Sequence, residues 1–344
     1  MEFNHFLSAY YPDTGYGGAR LFDDMLAQAR AADRLGYASV SIPEHHLINL
    51  LLTPAPLLMA VRLASETRNV RIMTSVAVLP LHDMRSYAGE VIMADILTEG
   101  RLILGVGRGA FAYEMARLGT PIEESRAKFD ESLAVLQALL TREEVSWQGA
   151  YYTFEPLTVM PRPVRPIRMM MAVMVPDGIY ACTKRGFHIQ TTPLMGSNEK
   201  MLEQVGAFHR AKAEMGEEGR DLTLSLSRVA WLAENESDRR HKLALAQDYY
   251  ARFDNVFTGP GKVSRGAILP LPREQSVEEL AGNILIATEQ EMIDKLAIYH
   301  EAGVDEVILS QNIGAENAET LENMERIAER IMPHFSQRVS AAAE

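Results

Sequence analysis

The chain has 344 residues, 47% hydrophobic and 23% charged, with a formal net charge of −12; that is an ordinary soluble composition, with apolar material for one large α/β barrel or two domains. The acidic balance argues against a nucleic-acid groove or a binder of anionic membrane but leaves room for one local basic pocket. The single cysteine, Cys182, excludes a disulfide framework and points to a reducing, cytoplasmic setting.

No apolar run has the length of a membrane span. The first residues show a strand pattern, not a charged segment followed by an apolar one, so no signal peptide is expected. Phe3 to Ser8 reads as a short apolar strand and 11–18 as loop. Residues 20–35 read as an amphipathic helix with Leu21, Met25, Leu26, Ala29 and Ala32 on one face, closed by Gly36. Ser39 to Ile42 is a second strand that runs into Pro43-Glu44-His45-His46. A helix over 54–67 begins with Pro54 and Pro56. Arg71 to Leu79 is a third strand, 84–98 a helix, Leu102 to Val106 a fourth strand and 121–140 a helix.

The unit then repeats. Strands are expected at 168–173, 187–191, 222–232 and 306–310, and helices at 177–185, 198–215, 237–253, 289–302 and 316–332. Eight strands alternating with helices imply a parallel, closed (β/α)8 TIM barrel, one domain over 1–335 with a flexible tail, 336–344. Two stretches break the rhythm. Residues 141–166 read as an excursion carrying a small hairpin. Residues 254–283, with Gly259-Pro260-Gly261, Gly266 and Pro270-Leu271-Pro272, read as a lid-like insertion, because ordered connections so long are usually functional.

In a parallel barrel the chemistry sits at the C-terminal ends of the strands. Glu44-His45-His46 falls there. One reading is general acid–base work by His45, since imidazole titrates near neutral pH. A second is a pair of histidines satisfied by local hydrogen bonds, one of them to Glu44. A metal site is a third, but the helical His-Glu-x-x-His spacing is missing and no metal is expected. His82 and Arg85 follow strand three and point to the same mouth. The tip Gly105-Val106-Gly107-Arg108-Gly109 is either a tight turn with a surface arginine or an anion-binding lip. It lacks the Gly-x-Gly-x-x-Gly dinucleotide fingerprint. Arg126 opens the next helix, and the helix after Met174-Val175-Pro176-Asp177-Gly178 offers a further phosphate site at its N-terminus. Met169, Met170 and Met171 suit a barrel core or a flat aromatic ring.

Taken together, Glu44-His45-His46, Val78-Leu79-Pro80, Gly100-Arg101 through Gly105 to Arg108-Gly109, and Leu118-Gly119-Thr120 followed by Ser125-Arg126-Ala127 resemble the bacterial luciferase family of flavin-dependent monooxygenases. The resemblance runs from about Met1 to Phe335, with the specific motifs in the N-terminal half. It implies reduced FMN supplied by a separate reductase, molecular oxygen, a peroxyflavin intermediate and a hydrophobic small organic substrate. It implies catalysis by His45, with Glu44 and His46 beside it, and flavin-phosphate contacts from Arg108 and Arg126. It also implies flavin contacts from Ser75, Val76, Gly107, Met174, Val175 and Gly178, with a cis Ser75–Val76 peptide.

A homodimer is implied through helices 55–67 and 84–98, which carry Ala60, Ala64, Ala88, Val91, Ile92 and Ala94. The pattern departs from luciferase in two places. Gly107 stands where the luciferase alpha subunit has a reactive cysteine, and Met174-Val175 stands where luciferases have a Glu-Ser pair. Light emission is therefore not implied. The apolar stretch Leu47 to Leu52 suggests a hydrophobic substrate wall or buried packing. A deazaflavin-dependent oxidoreductase on the same barrel, or a non-catalytic flavin-binding luciferase-like subunit, are the competing functions.

Overall fold

The computed structural model describes residues 1–335; the tail expected at 336–344 lies outside the described residues. Eight strands close a parallel barrel: Glu2–Phe6, Ser39–Ile42, Arg71–Thr74, Leu102–Gly107, Met169–Ala172, His188–Thr191, Leu224–Leu232 and Glu306–Ser310. We number them barrel strands one to eight. Each pairs with the next, and strand eight pairs back onto strand one. The registers align Asn4 with Ile308, Ser41 with Met73 and Met73 with Ile103. Because side chains alternate along a strand, these residues share one face with Phe6 and Met170, the interior. Phe6, Met73, Ile103, Met170 and Ile308 pack in one buried cluster, while Val40, Ile72, Leu104, Ile189 and Val307 pack in another, against the helices. The methionine of strand five that fills the interior is Met170.

At the N-terminal end the interior is plugged by polar groups. Glu306 accepts from Ser39 and from Ser225 (2.7 Å), and pairs with Arg71 at 3.5 Å. Closing that end confines ligands to the opposite mouth.

Several boundaries differ from the sequence reading. The expected third strand, 71–79, breaks after Thr74, resumes as Ala77–Val78 and ends in a 3-10 turn, Leu79–Leu81. The Ser75–Val76 peptide between the two pieces is cis, as the family resemblance implies. A short helix, Ala112–Arg117, follows the glycine-rich tip, and the next helix, Ser125–Thr141, begins later than expected. The excursion carries the expected hairpin, Val145–Gln148 with Thr153–Leu157.

The stretch 254–283 is more structured than a bare loop. Helix Glu236–Phe257 runs into it, started by the Asn235 side chain, which caps the amides of Ser237 and Asp238. A small hairpin, Val263–Ser264 with Ala267–Ile268, and a helix, Val277–Asn283, follow. An unexpected strand, Leu285–Ala287, then extends the sheet beside Ala230 to Leu232.

The residues expected at a dimer interface mostly face inward. Ala60, Ala88, Val91, Ile92 and Ala94 are buried against the barrel, and only Ala64 is half-exposed. Leu58, Met93, Ile96 and Leu97 are the exposed apolar residues of those helices.

Candidate active site

Strand two delivers Glu44, His45 and His46 to the mouth, and the two histidines go to different carboxylates. His45 Nδ1 lies 2.6 Å from Glu114 Oε1, and Glu114 Oε2 accepts the His46 amide at 2.7 Å. Glu114 belongs to helix Ala112–Arg117 and is fully buried. A carboxylate on Nδ1 fixes the hydrogen there and leaves Nε2 as the working nitrogen. Phe111 stacks on the His45 ring at 4.0 Å and holds its plane. His46 Nε2 and His82 Nε2 both reach Glu44 Oε1, at 3.1 and 2.8 Å, while Glu44 Oε2 accepts the Val78 amide at 2.8 Å. Burial pushes the Glu44 pKa up, but the hydrogen bonds from His46, His82 and Val78 outweigh it, and the carboxyl sits below its usual range. The hydrogen bond to Glu44 raises His46 above its usual value, against burial. Among the described residues no group of three or more His, Cys, Asp or Glu side chains is placed to hold a metal ion.

The glycines at the end of strand four have a packing reason as well as a binding one. A Cβ on Gly105 would lie 2.0 Å from the Thr74 carbonyl oxygen, and one on Gly107 would lie 2.6 Å from Val76 Cγ2. Strand three therefore closes onto strand four only where both lack side chains. This adds a structural role at Gly107, expected to touch the flavin. Gln190 of strand six donates to Ser75 Oγ, and Thr74 Oγ1 donates to the Gly105 carbonyl at 2.7 Å. The Gln190 side-chain oxygen is buried without a partner among the described residues, a polar atom left over near the mouth.

Arg108 leaves the tip of strand four and Arg126 opens helix Ser125–Thr141. Burial, and then the charge of Arg126, push the Arg108 guanidinium below its usual range. Neither arginine has a hydrogen bond or ion pair with a carboxylate among the described residues. Arg126 also acts on Cys182, in helix Pro176–Lys184. Like charges held close without an acid suit a dianionic phosphate, so the donor set fits the phosphate of a flavin nucleotide. Val175 caps that helix and is exposed. Gly178 lies close to Val173, where a Cβ would come within 2.8 Å of its Cγ2. The carbonyl of Met174 accepts from Gln204 Nε2 at 2.7 Å, so one lone pair is already used.

A sequence profile described as luciferase-like monooxygenase matches residues 1–306. The chain belongs to that family. The chain is 27% identical, over 92% of its length and 91% of the relative's, to the oxygenase component of a flavin-dependent trigonelline monooxygenase from Acinetobacter baylyi. Its fold is similar to the monooxygenase RslO1 of Streptomyces bottropensis, with a TM-score of 0.84, 24% identity and coverage of 98% and 100% of the two chains. The same barrel is found in two further solved structures. One is the oxygenating constituent of 3,6-diketocamphane monooxygenase from Pseudomonas putida in complex with FMN (TM-score 0.78, 16% identity, 97% and 98% covered). The other is an F420-dependent secondary alcohol dehydrogenase (TM-score 0.76, 17% identity, 97% and 99% covered).

The insertion packs over the His45 side of the mouth. The Ile268 amide donates to Asn49 Oδ1 at 3.0 Å, and Ile268 joins Ile48, Leu50, Leu51, Phe111 and Tyr249 in the interior cluster. The Leu47–Leu52 stretch is thus largely packing, with Leu47 exposed. Sequence reasoning missed Glu114, Phe111 and Gln190. Only an acid in the turn after the glycine tip hinted at Glu114.

Proposed function

We propose that this protein is the oxygenase component of a two-component system. It takes reduced FMN from a separate, transiently bound reductase and uses oxygen to oxygenate a hydrophobic small organic molecule. The observation that carries this reading is the unpaired Arg108–Arg126 couple on the mouth that also holds a carboxylate-supported His45. Arg108, Arg126 and the start of helix Pro176–Lys184 would hold the phosphate. Ser75, Val76, Gly107 and the backbone of Val175 and Gly178 would line the ring. When bound, the reduced flavin supplies the electrons that activate oxygen. His45 Nε2 takes or gives a proton at the reacting atoms, and Glu114 keeps its tautomer. Phe111, Ile268 and the aromatic side chains Tyr249 and Phe253 exclude water and favour an apolar substrate.

The relative acting as an oxygenase component supports the division of labour with a reductase. Exposed Leu58, Met93 and Leu97 support a homodimer, which light scattering tests: a monomer at micromolar concentration argues against it. A half-buried lone thiol, Cys182, supports a cytoplasmic setting.

The deciding experiment is anaerobic titration with reduced FMN, reduced riboflavin and a reduced deazaflavin, followed by admission of oxygen and absorbance spectroscopy. Tight binding of FMN over riboflavin and rapid oxygen-dependent oxidation, with product formed, support the proposal. Selective binding of the deazaflavin replaces it with hydride transfer, and binding of FMN without turnover replaces it with a non-catalytic flavin carrier.

A further inference from the structure

Glu44 lies between two histidines, His46 and His82. His46, on one side, belongs to the mouth. His82, on the other, lines a cavity of about 340 Å³ with Leu81, Arg85, Lys128, Tyr151 and Tyr152, between the Leu79–Leu81 turn and the 145–157 hairpin. Glu44 itself is 1% exposed, and both imidazoles meet the same oxygen, Oε1, at 3.1 and 2.8 Å. Each histidine side chain is partly exposed.

We propose that His46, Glu44 and His82 form a proton relay between the barrel mouth and this side cavity. It carries protons while the insertion covers the mouth. A protonated His46 gives its Nε2 proton to Glu44 Oε1. The carboxyl passes a proton to Nε2 of a His82 that carries hydrogen on Nδ1. His82 then releases the Nδ1 proton to water in the cavity, and uptake runs in reverse. No electrons move, and Glu44 ends each cycle as it began. His46 and His82 are each left as the opposite tautomer and reset by leaving Glu44 briefly and exchanging the hydrogen between Nε2 and Nδ1 through water.

The groups around the relay are committed elsewhere. Tyr87 stacks on the His82 ring at 4.2 Å, Asp83 pairs with Arg85, and Lys128 Nζ is taken by Thr120 Oγ1 at 2.8 Å. Tyr152 donates to the His82 carbonyl, and Glu114 takes the His46 amide. Among the described residues none of them holds His82 Nδ1, and the His82 side chain is partly exposed and lines the cavity. For uptake, the raised pKa of His46 makes it the favoured end point for a proton arriving through Glu44, whose lowered pKa keeps the carboxyl from retaining it.

The need for such a path rests on the oxygenase reading. With reduced flavin as an anion, FMNH⁻ + O₂ + RH + H⁺ gives FMN + ROH + H₂O, so each turnover draws one proton from outside. A covered mouth has no bulk water to supply it.

The test compares His82→Ala with His82→Gln. The glutamine amide still donates to Glu44 but cannot pass a proton on. Both variants should turn over about tenfold or more slowly, within the usual reach of proton-transfer groups. Imidazole, small enough for the vacated space, should restore most of the His82→Ala rate in a concentration-dependent way. A His82→Gln enzyme with the wild-type rate, or no rescue of folded His82→Ala by imidazole, overturns the relay. A second measurement needs no flavin. In the cofactor-free protein, nitrogen NMR should show His46 and His82 titrating as a coupled pair, so that His82→Gln moves the His46 midpoint. Independent titrations overturn the relay even if the oxygenase reading holds. Coupled titration in a protein that fails to oxidise reduced FMN upholds the relay and removes the oxygenase.

Discussion

His45 Nδ1 lies 2.6 Å from Glu114 Oε1, although the two residues are 69 positions apart and belong to different βα units. One buried carboxylate thereby fixes the tautomer of the working imidazole and, through its other oxygen, holds the backbone of His46. Replacing Glu114 with Ala should lower kcat about 10²-fold, the lower end of what a positioned acid–base group supplies. Affinity for reduced FMN should be nearly unchanged. Single-turnover kinetics with flavin titration separates the two effects. A loss confined to flavin affinity would remove Glu114 from the acid–base arrangement.

Arg108→Ala should weaken reduced FMN by about 1.5–3 kcal/mol, the range for hydrogen bonds to charged groups. Riboflavin, which lacks the phosphate, should lose nothing. Equal losses for the two ligands would place Arg108 at the ring, not at the phosphate.

Glu44 and His46 predict a pH window of stability. The Glu44 pKa is lowered from its ordinary 4.5 by the histidine and amide hydrogen bonds, which overcome burial; its contribution is present above 4.5 and lost as pH falls through the lowered value. The His46 pKa is raised from 6.5 by the hydrogen bond to Glu44; its contribution is full below 6.5 and lost as pH rises through the raised value. Both are present between 4.5 and 6.5. The unfolding free energy of the wild type relative to Glu44→Gln should therefore peak in that window. Urea titrations across pH check this, and a flat difference would contradict it.

Gly105→Ala should destabilise by about 1–3 kcal/mol or more, because its Cβ has no room beside the Thr74 carbonyl and backbone must shift. Gly206, inside helix Asn198–Met215, meets nothing within 4 Å. Gly206→Ala should instead stabilise by up to about 1 kcal/mol through helix propensity. Thermal or urea unfolding of the two variants distinguishes close packing from helix preference.

Asn49→Ala removes the acceptor of the Ile268 amide and frees the insertion from the Leu47–Leu52 wall. An unpaired buried amide costs about 1–3 kcal/mol, enough to open the cover more often. Hydrogen peroxide release per reduced flavin should rise and product fall. Unchanged coupling would mean that the insertion is not a lid. Excising 258–272 is a blunter test, because it also takes Ile268 from the interior cluster.

What the sequence determined by itself is local and periodic. Alternating short apolar strands and amphipathic helices, repeated eight times, specify a parallel barrel, and a parallel barrel specifies which strand ends form the mouth. That placed Glu44, His45, His46, His82 and Arg108 on one rim before any contact was known; His82 instead lines a side cavity with Arg85.

The partners of those residues came only from the closed barrel. Glu114 and Gln190 reach their partners across 69 and 115 positions, separations at which no local period carries information. The same limit hid the three-residue strand Leu285–Ala287, too short to show an alternation, and the exposed face of helix Met84–Leu97. That helix is apolar nearly all round, with Val91 and Ile92 buried and Met93 and Leu97 exposed. Which side meets the barrel is decided by the packing of its neighbours, not by its own residues.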